Sequence, residues 1–112
     1  GVVTAAGLVQ VPAGARVTVA GVVTHRQRPA TAQGVTFINL EDETGLINVI
    51  CSAGVWVRYR RVARSSPGLV IDGRLERVET VINVVAERIR PLVLQSGSVS
   101  GLGSSLRSRD FR

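Results

Sequence analysis

Val35 to Cys51, VTFINLEDETGLINVIC, holds two alternating segments joined by a short acidic turn. Val35–Glu41 is the first, Leu46–Cys51 the second, and Asp42-Glu43-Thr44-Gly45 links them, with Gly45 supplying a positive φ. That pattern predicts a β-hairpin. In the first strand Ile38 and Leu40 share one face, while Phe37, Asn39 and Glu41 share the other. In the second, Ile47, Val49 and Cys51 form the apolar face and Leu46, Asn48 and Ile50 the opposite one. Side chains alternate with a period of two, so the apolar sets are expected inside and Phe37 outside. A slip of one residue would instead carry Phe37 into the core.

The neighbouring segments extend this reading. Upstream, Arg16–Thr24 alternates and is rich in β-branched residues, with Val17, Val19 and Val23 on one face and Gly21 at a bend. A polar loop, His25 to Gly34, follows. Downstream, Val55 to Arg64 repeats Val55, Tyr59 and Val62 at helical spacing, and Ser65-Ser66-Pro67-Gly68 stops it. Leu69–Leu75 and Val81–Ile89 read as two more strands. The order is therefore β-β-β-α-β-β. A parallel α/β sheet would need helices between most of its strands. An all-β, five-stranded Greek-key barrel with one short helix between strands 3 and 4 fits, which is the OB fold.

Residues 1–14 carry no charged side chain and are broken by Gly7, Pro12 and Gly14, so they are expected to be a lead-in from an upstream domain. Residues 15–94 are expected to be the barrel. Residues 95–112, half of them Gly or Ser, read as a flexible tail ending in a basic motif. The chain has no methionine and opens on Gly1, as a piece of a longer polypeptide would.

Composition bounds the chemistry. A chain of 112 residues is one small domain. No apolar run approaches the ~20 residues of a membrane span, and no membrane partner is expected. A single cysteine, Cys51, and a single histidine, His25, leave no internal disulfide and no zinc set. Asp42 and Glu43 sit at a turn, so no catalytic residue and no metal ligand is expected in the chain. The formal charge is +6, and all the basic residues are arginine. Use of a GC-rich genome's codons accounts for arginine replacing lysine, but not for the surplus of positive charge. That surplus points to a polyanion.

An exposed aromatic beside amides suits base stacking and base-edge contacts, which makes Phe37, Asn39 and Asn48 candidates for binding single-stranded DNA. Arg26 and Arg28, in the loop after the first strand, and Arg74 and Arg77, around the loop between the last two, are the candidates for phosphates. Those loops wall the ligand groove of an OB barrel, so these cations are expected to converge there. Asn39 and Asn48 could equally be solvated strand residues. Trp56 and Tyr59 read as packing anchors, and Arg58, Arg60, Arg61 and Arg64 as a solvated helix face. Aromatic content is only 4%, which leaves a protein-docking role open, with Arg109, Asp110, Phe111 and Arg112 of the tail as the partner contact.

The run Val35–Gly45 resembles the strand-turn signature of OB domains in aspartyl-type tRNA synthetases and bacterial replicative polymerases. In the synthetases an aromatic on strand two and an amide eleven residues later contact anticodon bases; the matching positions are Phe37 and Asn48, while Glu41 stands where they often carry a basic residue. The longer stretch Val19–Ser52, with VWVRYRRVAR after it and SRDFR at the end, is more specific. It resembles the C-terminal OB-fold domain of the error-prone, damage-inducible C-family bacterial DNA polymerases. That resemblance implies a parent chain performing translesion synthesis in the bacterial cytoplasm, at the nucleoid. Its palm carboxylates and their Mg²⁺ would lie upstream, so no cofactor is expected in this piece. Implied partners are an inactive Y-family-like adaptor that bridges to the sliding clamp, and a RecA-like accessory protein.

Overall fold

The computed structural model describes residues 1–29 and 33–93. Five strands and one helix follow one another: β1 (Arg16–Gln27), β2 (Thr36–Asp42), β3 (Gly45–Cys51), α1 (Ala53–Ser65), β4 (Gly68–Val78) and β5 (Val81–Pro91). They close into a barrel in the spatial order β1-β2-β3-β5-β4. This is the all-β OB arrangement that the element order predicts, with its helix between β3 and β4. The tail, including Arg109, Asp110, Phe111 and Arg112, lies outside the described residues.

The β2–β3 hairpin forms in the expected register, with Phe37 opposite Ile50 and Asn39 opposite Asn48. Its turn is held by Asp42, whose Oδ1 accepts from the Thr44 amide at 2.7 Å and the Gly45 amide at 3.1 Å. Ile38, Leu40, Ile47, Val49 and Cys51 are all buried, so the alternation correctly names the interior face. Val17, Val19, Leu69, Ile71, Leu75, Val84 and Ile89 complete the barrel core.

Two strand glycines let neighbouring backbones approach closely. A Cβ at Gly21 would stand 2.6 Å from the Glu41 carbonyl oxygen, and one at Gly73 would collide with the Val85 carbonyl. Gly73 also follows a register shift in the β4–β5 ladder. Both sit where strands of a small barrel must bend.

β1 is longer than its sequence pattern suggests. It continues through His25, Arg26 and Gln27, pairing Gln27 with Phe37, after a register shift between Val23 and His25. The shift inserts Thr24 as an extra residue, so Arg26, and not His25, faces the barrel side. The polar loop therefore begins after Gln27, and Arg26 belongs to a strand.

Ser52 caps α1, its Oγ accepting from the Val55 amide at 3.3 Å. The helix buries Trp56 and Ala63, with Val55, Tyr59 and Val62 packed at the margins. The inward stripe is thus centred on Trp56, closing the barrel end beyond Cys51.

Residues 1–14 pack against the other end. A short 3₁₀ turn, Ala6–Gln10, buries Leu8. Val2 bridges to Thr18, and the Ala5 and Ala6 amides donate to the Asp42 carboxylate and the Thr44 hydroxyl.

Candidate nucleic-acid interface

The ladders align side chains across the outer surface of the barrel. His25 of β1 lies opposite Asn39 of β2, Asn39 opposite Asn48 of β3, Asn48 beside Asn83 of β5, and Asn83 opposite Glu76 of β4. Hydrogen bonds join two of its pairs. Asn39 Nδ2 donates to Asn48 Oδ1 at 2.8 Å, and Asn83 Nδ2 donates to Glu76 Oε1 at 3.2 Å. One pair further along each strand lies a less polar row: Gln27, Phe37, Ile50, Val85 and Arg74.

Phe37 is 38% exposed, on the outer face as the alternation requires. An open ring flanked by a row of amides can stack on one base while donating to and accepting from the edges of the next. The sequence nominates Phe37, Asn39 and Asn48, which the structure places side by side, but not Asn83, whose place beside them depends on the parallel β3–β5 register, to which local pattern is blind.

The four arginines expected to converge on this groove are not brought together. Arg26 reaches the C-terminal end of α1, where its Nε donates to the Ala63 carbonyl at 2.7 Å and its Nη2 to the Ser66 carbonyl at 2.6 Å. Arg28 lies over the Trp56 ring, 5.9 Å from its centroid. Arg74 and Arg77 turn toward residues 9–14. Arg74 donates to the Gly14 carbonyl at 3.1 Å and pairs with Glu87 at 3.2 Å, while Arg77 donates to the Val11 carbonyl at 3.1 Å. For Arg26, Arg74 and Arg77 the physical reason is the same: helix ends and irregular segments leave carbonyls unpaired, and guanidinium groups satisfy them, whereas Arg28 is held over an aromatic face.

Near the hairpin end, Val9, Leu46 and Val81 are exposed around one cleft. Two carboxylates are tuned by their surroundings. Asp72 is held below its ordinary value of 3.8 by the Thr18 hydroxyl, assisted by Arg90. At Asp42 burial raises the value, but the hydrogen bonds from Thr44, Ala5 and Gly45 together outweigh it and leave the group lowered. The Cys51 thiol is pushed up to about 11 by burial. Among the described residues, no group of three or more His, Cys, Asp or Glu side chains could hold a metal ion, and no helix is long and apolar enough to cross a membrane.

Comparison with known proteins agrees with this fold. Residues 17–92 match the model of a family described as an OB-fold nucleic acid binding domain. The chain is 54% identical over all its 112 residues to an error-prone DNA polymerase of Mycolicibacterium paratuberculosis, and 47% identical to one of Corynebacterium glutamicum. It spans about a tenth of the length of each of these relatives. Among solved structures, it superposes on the hypothetical protein ygiW from E. coli with a TM-score of 0.63 and 18% identity, covering 82% of this chain and 90% of that one. It also superposes on asparaginyl-tRNA synthetase from Pyrococcus horikoshii with a TM-score of 0.60 and 18% identity, covering 75% and 21%. At such identity the two structures share the fold alone.

Proposed function

Because this chain belongs to the family of OB-fold nucleic acid binding domains, we propose that its barrel holds single-stranded DNA as a module of an error-prone polymerase. The observation that carries the reading is the exposed Phe37 ring beside the joined amides of Asn39 and Asn48, continued by Asn83. Phe37 stacks on a base, and the amides meet base edges. Arg26, Arg28, Arg74 and Arg77 are the less suited part of the expected set, since three of them already satisfy backbone carbonyls. Binding therefore draws more on stacking than on phosphate contacts.

Identity of 54% over the whole chain to polymerases of that name supports a polymerase as the parent. In that setting the barrel steadies the template during translesion synthesis after DNA damage, in the bacterial cytoplasm at the nucleoid. The nucleotidyl-transfer site and its Mg²⁺ belong to the remainder of the parent.

Fluorescence anisotropy of a labelled oligonucleotide tests the reading. Phe37→Ala should weaken binding by about 1–3 kcal/mol. The salt dependence should be shallow, with a log–log slope weaker than about −2, the value for three neutralised phosphates. Equal affinity of wild type and variant defeats the proposal. A clear preference for the ribo-oligonucleotide of the same sequence would move the module to an RNA partner.

A second reading is favoured by the exposed Val9, Leu46 and Val81. These apolar groups suit a protein contact, so the module docks the polymerase onto an adaptor that leads to the sliding clamp, or onto a RecA-like accessory protein. The tail residues Arg109, Asp110, Phe111 and Arg112 are the other candidate contact. Deleting residues 95–112 separates the two surfaces: adaptor capture that survives the deletion assigns the contact to the barrel.

A further inference from the structure

At the barrel end closed by α1 there is an open cleft of about 440 Å³, lined by Arg26, Arg28, Thr36, Trp56, Arg60 and Arg64, together with Gln27. Among the described residues, no carboxylate lines it. It is separate from the amide row. Thr36 alternates with Phe37 along β2 and is buried on the side of Ile38 and Leu40, whereas Phe37 points outward.

Two of the lining residues carry a buried polar atom without a partner among the described residues. Thr36 is 1% exposed and Trp56 5% exposed, yet among the described residues neither the Thr36 hydroxyl nor the Trp56 indole nitrogen makes a hydrogen bond. Buried polar atoms are rarely left so, because desolvation without a replacement partner is costly. They come from different elements and share one cleft. An indole N–H can only donate, and a guanidinium can only donate. What the wall lacks is therefore an acceptor, and a charged one, since Arg28, Arg60 and Arg64 form no ion pair among the described residues. Arg26 is fixed by the Ala63 and Ser66 carbonyls and frames the cleft without being consumed by an acid.

We propose that this cleft binds a phosphoryl oxyanion. The indole N–H and the threonine hydroxyl donate to oxygens at its base, while Arg28, Arg60 and Arg64 close over the charge. Arginine forks match such oxygens in pairs. The anion is either a phosphodiester of a nucleic-acid backbone or a free phosphate. The site does not rest on the role of Phe37.

Trp56 is the only tryptophan in the chain, so its indole N–H gives a single ¹⁵N–¹H cross-peak that reports the cleft directly. The full chain is titrated at constant ionic strength with inorganic phosphate, and separately with a short oligodeoxynucleotide lacking terminal phosphates. Saturable movement of the indole peak is expected in at least one titration. The tighter ligand identifies the source, a free anion or a backbone. The double variant Arg60→Gln, Arg64→Gln, both on the exposed helix face, should weaken the response about tenfold or more. Thr36→Val should weaken it too. Phe37→Ala should leave the response to inorganic phosphate unchanged. A peak unmoved by both ligands, or a response equal in wild type and the arginine double variant, overturns the proposal.

Discussion

The side-chain amide of Asn39 on β2 donates to Oδ1 of the Asn48 side chain on β3 at 2.8 Å, so two adjacent strands present one continuous amide surface beside Phe37. The bond also orients both groups. Asn48 keeps its own Nδ2 directed toward β5, 3.5 Å from the Ile82 carbonyl.

Asn48→Ala should therefore weaken oligonucleotide binding by about 0.5–1.5 kcal/mol, the worth of one hydrogen bond. The loss should differ between homopolymers, because amides read base edges while the ring stacks on any base. Titration with four homopolymeric oligonucleotides measures it. An identical loss on all four would mean that Asn48 touches no base.

Gly73→Ala should destabilise the fold by about 1–3 kcal/mol. Its new Cβ would be driven into the Val85 carbonyl, which is backbone and has little room to yield. Gly54→Ala is the matched control, since a Cβ there meets nothing within 4 Å. Chemical denaturation of both variants provides the comparison, and equal stability would contradict the packing described for β4 and β5.

Asp72 links stability to pH. Its folded value is depressed by the Thr18 hydroxyl first and by Arg90 next. A depressed carboxylate stabilises the fold above its unfolded value of about 3.8 and loses that contribution as pH falls through the lower folded value. Thr18→Val should therefore cost stability at neutral pH and cost much less at an acid pH below the folded value of Asp72. Urea midpoints of wild type and variant at the two pH values should converge on the acid side; a constant gap would remove Asp72 from the account.

Cys51 should resist thiol reagents in the native state. Burial leaves it fully enclosed, and a value of about 11 keeps thiolate scarce at mildly alkaline pH. Labelling with an aromatic disulfide should proceed only as fast as the barrel opens, and should accelerate with added urea. Fast labelling in native buffer would show that the interior face of β3 is accessible.

Much of this architecture was readable beforehand, for a definite reason. Ile38, Leu40, Ile47 and Val49 repeat with the period of a strand, and local alternation is enough to separate their face from that of Phe37. Helical spacing names Val55, Tyr59 and Val62, one residue off the stripe centred on Trp56 that the helix buries, although Trp56 reads as a packing residue as a large aromatic on a helix. Three features were not readable. The extra residue at Thr24 has no signature of its own, yet it changes which side Arg26 takes. Arg74 and Arg77 were assigned to a groove because their final partners, the carbonyls of Gly14 and Val11, lie 60 and 66 residues away in sequence. The pairing of Thr36 with Trp56 around one cleft needs the helix docked onto the barrel end, which no period discloses.

The parallel contact between β3 and β5 has one more consequence. It comprises three residue pairs, Asn48 with Asn83, Val49 with Val84 and Ile50 with Val85, whereas β4 and β5 share ten. The cylinder is zipped shut along its shortest seam, and two of the amides that would grip a ligand stand on opposite lips of it. Anything bridging Asn48 and Asn83 would act as a clasp, so occupancy should slow amide exchange along that joint and raise the melting temperature through closure itself.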